Sequence, residues 1–215
     1  MKRQATIAVL GTLLGITISS SVVRAEDASA RGTDQAAMLS GQVDLANVPA
    51  QDGGIEWGRA EGILAARTDD VMAILHDYSR YAGLFPYFEK SKVLSQRGSD
   101  AIVYLEAKIL HGATTLWGQM KISSKQADSD RQVVEAKLMK GKGNMSQFLA
   151  RWEVTPTHGG THSRVVFQLL VDPDLPVPNM AISREMKNGA GQAFRALRRR
   201  VTERASIVSR PSSTL

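Results

Sequence analysis

The stretch HDYSRYAGLFPYFEKSKVL, residues 76–94, decides how this chain is read. Five of the twelve aromatic residues fall within the eleven positions from Tyr78 to Phe88. No cysteine, no paired catalytic acids and no phosphate loop accompany them. The stretch is an active site, a binding mouth or core, and its surroundings choose among the three.

Just upstream, Thr68 suits a helix N-cap, and Asp69 and Asp70 suit the positive end of a helix. Val71, Ile74, Leu75 and Tyr78 repeat at helical spacing. Gly83 and Pro86 then punctuate the chain, which predicts a second short helix or turn over residues 84–88. Further upstream, IEWGRAEGILAA (residues 55–66) alternates as a strand, with Gly58, Ala60 and Gly62 on one face, where another element can approach closely.

Downstream the period is two. AIVYLEAKIL, TTLWGQMKISS, RQVVEAKLMKG, SQFLARWEVTP and THSRVVFQLLVD each alternate, and turn-forming residues separate them. Strands joined this way form an antiparallel meander. DPDLPVPN (residues 172–179) has three prolines and cannot continue a sheet. The last element is a helix to about Ser206, with Met186, Ala190, Ala193, Leu197 and Val201 on one stripe and Phe194 beside it.

The 215 residues suit one domain with appendages. Lys2 and Arg3 precede the apolar run of residues 5–18, and Val23 and Ala25 hold small-residue positions. This pattern predicts a secretory signal peptide over residues 1–25, cut after Ala25, and a periplasmic or secreted protein. An uncleaved N-terminal membrane anchor is the alternative. Residues 26–53 read as a flexible linker, with room for a short docked segment around VDLANVP. The folded domain is expected over residues 54–206 and a disordered tail over 207–215. Loss of Lys2, Arg3 and Arg24 with the leader lowers the formal charge from +6 to +3. That mild excess does not suggest a nucleic-acid partner. The absence of cysteine rules out thiolate metal sites and cysteine catalysis.

The chemistry-bearing residues read mostly as ordinary surface. His158 and His162 flank Gly159-Gly160 in a hairpin turn with no obvious third ligand, so no metal site is assigned. His76 and His111 read as boundary and turn residues. HGG at residues 158–160 lacks a nucleophile elbow to serve. Glu106 is the first acid/base candidate, but Lys108 shares its strand face, which favours a solvated carboxylate. No catalytic residue and no cofactor is assigned.

Asp77-Tyr78, Tyr81, Phe85-Pro86, the SKVL strand entry, RWEVTP followed by Gly159-Gly160-Thr161, and VDPDLPVPN before the long helix occur in a telling order. With them the chain resembles the polyketide cyclase/coenzyme Q-binding (START domain) branch of the START-like, Bet v 1-like helix-grip superfamily (SRPBCC). The resemblance implies an α+β fold in which a curved, seven-stranded antiparallel sheet grips the C-terminal helix. It also implies an apolar cavity between sheet and helix, for a lipid, sterol, quinone or polyketide-like molecule.

On that fold the expected pocket lining is Tyr81, Phe85, Tyr87, Phe88, Met120, Phe148, Trp152, Phe167, Met180, Met186, Ala190 and Phe194. The leading expectation is an exported protein that transports or sequesters a hydrophobic small molecule. A cyclase- or aromatase-like enzyme and a non-catalytic module serving an envelope protein are the rivals. The basic run RALRRRVTER suits a transient contact with an anionic membrane surface, or simply the outer face of an amphipathic helix.

Overall fold

The computed structural model describes residues 41–50, 54–109 and 112–208. The expected leader, most of the expected linker, His111 and most of the expected tail lie outside the described residues.

The alternating segments form one antiparallel sheet. Its strands are β1 (Asp44–Val48), β2 (Trp57–Leu64), β3 (Phe88–Arg97), β4 (Asp100–Ile109), β5 (Thr114–Gln126), β6 (Gln132–Gly143), β7 (Gln147–Thr157) and β8 (His162–Asp172). The order across the sheet is β1-β2-β8-β7-β6-β5-β4-β3. From β3 to β8 every strand pairs with its successor, as a meander requires. β2 pairs with β8, which brings the beginning and end of the domain together. Register shifts at Phe88/Lys90, Val93/Ser95 and Gly118/Met120 bend the ribbon.

The sheet has eight strands where seven are expected. The extra one is β1, which lies in the stretch read as linker and is the docked segment that VDLANVP allows. All five of its residues pair with β2. The side-chain amide of Asn47 donates to the Ser183 carbonyl at 2.8 Å.

Among the described residues three helices complete the unit: α1 (Thr68–Leu75), α2 (Tyr81–Leu84) and α3 (Asn179–Val208), with a 3-10 turn at Tyr78–Arg80. Two local expectations need correction. Thr68 is not the N-cap of α1; Arg67 holds that position and its carbonyl takes the first helical bonds. The Thr68 hydroxyl instead meets the Ser163 hydroxyl of β8 at 3.3 Å. The second helix comes earlier than residues 84–88. Pro86 forces Phe85 into extended backbone, φ −102° and ψ 123°, so α2 stops at Leu84.

Helix α3 packs along the concave face of the sheet. Its stripe Met186, Ala190, Ala193, Phe194, Leu197 and Val201 is buried. Close approach depends on glycine in β2. A Cβ on Gly58 would lie 1.9 Å from the Met186 carbonyl oxygen, and one on Gly62 would lie 2.8 Å from the Phe194 ring. The other sheet face is polar. There Glu61 is buried between the guanidinium groups of Arg59 and Arg164, and Arg131, Glu153, Arg151 and Glu135 continue the chain of charges.

Candidate functional site

The concave face presents alternate residues of each strand to α3. Near β2 the glycines let helix and sheet touch. Farther across, the facing residues include Ala107, Ala136, Ala150 and Ala193, and the space does not close. A cavity of about 130 Å³ remains between sheet, α2, α3 and the proline-rich segment after β8.

Its floor is aromatic. Trp152 and Phe167, on paired strands, stack with ring centroids 3.9 Å apart, and the Phe85 ring stacks 5.7 Å from Trp152. Phe85 in turn meets Tyr81 edge-on at 5.1 Å and Phe88 at 6.2 Å. Pro86 therefore does two things: it ends α2, and it turns Phe85 and Phe88 onto the cavity.

The polar groups of this region differ in what they already bind. The Tyr81 hydroxyl donates to the Leu75 carbonyl at 2.6 Å, and burial holds its pKa well above the ordinary value. The Tyr78 hydroxyl donates to the Ser99 carbonyl and is pushed up to about 12, chiefly by burial and then by Asp100. Both are anchors. Tyr87 is different: its ring lies over Gly189, where a Cβ would stand 3.7 Å from its Cε2. Its hydroxyl has no hydrogen-bond partner among the described residues. Burial raises its pKa, the Glu185 carboxylate raises it further, and Arg195 opposes them. Glu185 is half-buried on the wall of the cavity.

Most of the expected lining residues come together here. Tyr81, Phe85, Tyr87, Phe88, Met120, Phe148, Trp152, Phe167 and Met186 all line the cavity. Three do not. Met180 is 83 % exposed, and Ile182 takes the wall position instead. Ala190 and Phe194 are fully buried in the solid core, on the edge of the stripe that packs toward β2. The stripe of α3 is wider than the hollow it covers. Ile182, Glu185, Met186, Gly189 and Ala193 form the hollow's edge.

Other wall residues escape the sequence reading. Leu105, Ala107, Ile122, Val134 and Leu169 carry a usable signal, since each belongs to one face of an alternating strand. Met145, Pro173, Leu175 and Val177 belong to connections with no period to read.

The acid/base candidate lies elsewhere. Glu106 is on the outer face, bonded by Lys90 Nζ at 2.9 Å and by the Tyr104 hydroxyl at 3.1 Å. The Lys90 ammonium holds the carboxyl below the usual range. His158 and His162 sit in the β7–β8 turn with rings 5.1 Å apart. Among the described residues no group of three or more His, Asp and Glu is placed to hold a metal.

The sequence profile for polyketide cyclase/dehydrase and lipid transport proteins matches residues 64–198. The chain belongs to the polyketide cyclase/dehydrase and lipid transport family. Solved structures place this member of the family beside START-like proteins. A STAR-related lipid transfer protein from Xanthomonas axonopodis superposes with TM-score 0.65 at 18 % identity, over 74 % of this chain and 93 % of that one. Human StAR-related lipid transfer protein 5 gives 0.58 at 10 % identity, over 87 % and 100 %. The Zhui aromatase/cyclase from Streptomyces gives 0.53 at 16 % identity, over 74 % and 98 %. No curated protein matches the chain. At these identities the structural likeness establishes the helix-grip fold of this family member and leaves its chemistry to its own residues.

Proposed function

We propose that this protein is an exported carrier that holds a hydrophobic small molecule between its sheet and α3, for transport or sequestration. The observation that supports this most is the cavity itself, apolar on nearly every side and floored by Phe85, Trp152 and Phe167. Apolar walls with few polar groups suit binding by desolvation. Catalysis is less well supported, because Glu106, the acid/base candidate, faces away from the cavity, and Glu185 has no second carboxylate, lysine or histidine beside it among the described wall residues. A module that serves only a protein partner is expected to have a filled core, and this core is hollow.

Magnitude sets the ligand's size. An apolar cavity of about 150 Å³ holds one benzene-sized group. Burying a group of that size is worth about 1.5–3 kcal/mol, whereas micromolar affinity needs about 8 kcal/mol. A ligand of useful affinity is therefore larger than the hollow as it stands, and the wall parts to admit it. The wall elements outside the sheet's hydrogen-bond ladder are α2, α3 and the segment carrying Pro173, Leu175 and Val177, and of these α3 is fixed by its contact with Gly58 and Gly62 of β2.

Export rests on the leader read in residues 1–25. A transient contact with anionic membrane rests on the exposed arginines of α3, among them Arg184, Arg199 and Arg204.

Gentle purification from the native compartment, solvent extraction and mass spectrometry should return an apolar molecule. A protein that is empty, and indifferent to lipid, quinone and sterol probes, would overturn the reading. Edman sequencing of the isolated protein should begin at Glu26.

A further inference from the structure

The chemistry of the ligand's head can be read from the cavity wall, granted the carrier reading above. Among the described residues that line the cavity, only Glu185 bears a formal charge. Its carboxylate makes no hydrogen bond or ion pair with another described residue. Among the described residues no lysine, arginine or histidine stands on the wall with it. Arg195, whose charge reaches Tyr87, lies farther along α3, is exposed, and is not a wall residue.

The Tyr87 hydroxyl is another polar group on the wall without a partner among the described residues. Its ring packs at Gly189, one helical turn after Glu185, so carboxylate and hydroxyl sit beside the same stretch of helix. The Tyr81 hydroxyl is already committed to the Leu75 carbonyl.

A carboxylate accepts hydrogen bonds and cannot donate them. Beside an apolar cavity it stabilises a donor or a cation and opposes an anion, and the low local dielectric sharpens the contrast. We infer that the cavity selects an amphipathic ligand whose head is a hydrogen-bond donor, an alcohol or an amine, held by Glu185 with Tyr87 beside it, and that it rejects carboxylate heads such as free fatty acids.

Three probes with the same ten-carbon tail isolate the head: 1-decanol, decylamine and decanoate, each titrated by calorimetry at neutral pH below its micellar concentration. The wild-type protein should bind the alcohol and the amine at least about tenfold more tightly than decanoate, the span that hydrogen bonds to a charged group produce. Glu185→Gln should bring the three affinities to within about threefold, by weakening the amine and strengthening decanoate. Glu185→Ala should do the same, and serves if the first variant is poorly folded.

Decanoate binding as well as the alcohol and amine overturns the inference and leaves the carrier reading intact. So does a ranking that neither variant changes. Failure of all three probes to bind overturns the carrier reading itself.

Discussion

Single residues here show how burial reassigns ordinary chemistry. His76 reads in the sequence as a boundary residue; in the structure it is half-buried, with Nε2 3.0 Å from the Ser124 hydroxyl. Burial lowers its pKa from the ordinary 6.5. As pH falls through that value the unfolded chain takes up the proton first, so stability is lost on the acid side. His76→Gln keeps a polar group near Ser124 and removes the titration. Its urea midpoint should fall less steeply between about pH 7 and pH 5 than that of the wild type. The tyrosines give the alkaline counterpart. All four are held above 10: Tyr78, Tyr81 and Tyr87 mainly by burial, and Tyr104 by burial and its bond to Glu106. Ultraviolet titration of the folded protein should show no tyrosine ionising at its ordinary pH. Unfolded tyrosines release protons first, so stability should decline above about pH 10. Neither effect is legible in the sequence, because each depends on which distant strand covers the ring.

At the scale of elements the sequence is more transparent, and its failures have causes. Strands β4 to β8 are legible because one side of each is buried, which enforces a period of two. Strand β1 is hardly so, because DLANV at a sheet edge is held by backbone bonds, by polar Asn47 and by Leu45 alone against α3, which is too little to show an apolar alternation. The site follows the same division. Trp152, Phe167 and Met120 are readable as facing residues, whereas Glu185 sits on a helix whose charged positions otherwise read as solvent face. The small residues of β2 signal close approach, and the contact is testable. In Gly58→Ala the new methyl meets the α3 backbone, which cannot rotate away as a side chain can. Overpacking of this kind costs about 1–3 kcal/mol. Gly83, in α2, has open space for at least 4 Å around the point where a Cβ would stand. Gly83→Ala should therefore be neutral or stabilising by about 0.4–1 kcal/mol. Chemical denaturation of the two variants side by side separates the helix–sheet contact from a general intolerance of alanine.

For the whole molecule the governing fact is that α3 touches the curved sheet at β2 and leaves a gap farther across. Side-chain size then decides whether that gap is filled. Ala136 and Ala150 face each other on paired strands in the cavity wall, and Ala107 and Ala193 also border it. A chain selected only for stability has an obvious remedy in larger residues, since filling a void commonly gains about 0.5–2 kcal/mol. Ala136→Leu tests whether the hollow is kept for a ligand. The added carbons occupy space that is empty in the free protein, so the melting temperature should hold or rise. The same carbons remove room that a bound molecule needs, so affinity for a ten-carbon alcohol should fall by at least about tenfold, in line with the roughly 0.8 kcal/mol carried by each buried methylene it displaces. A stable variant that still binds normally means the alcohol sits elsewhere on the protein. A variant that loses about 1–3 kcal/mol of stability, in the range typical of overpacking, means the wall at Ala136 was already full. Only stability retained together with binding lost fits a cavity that function, and not imperfect packing, keeps open.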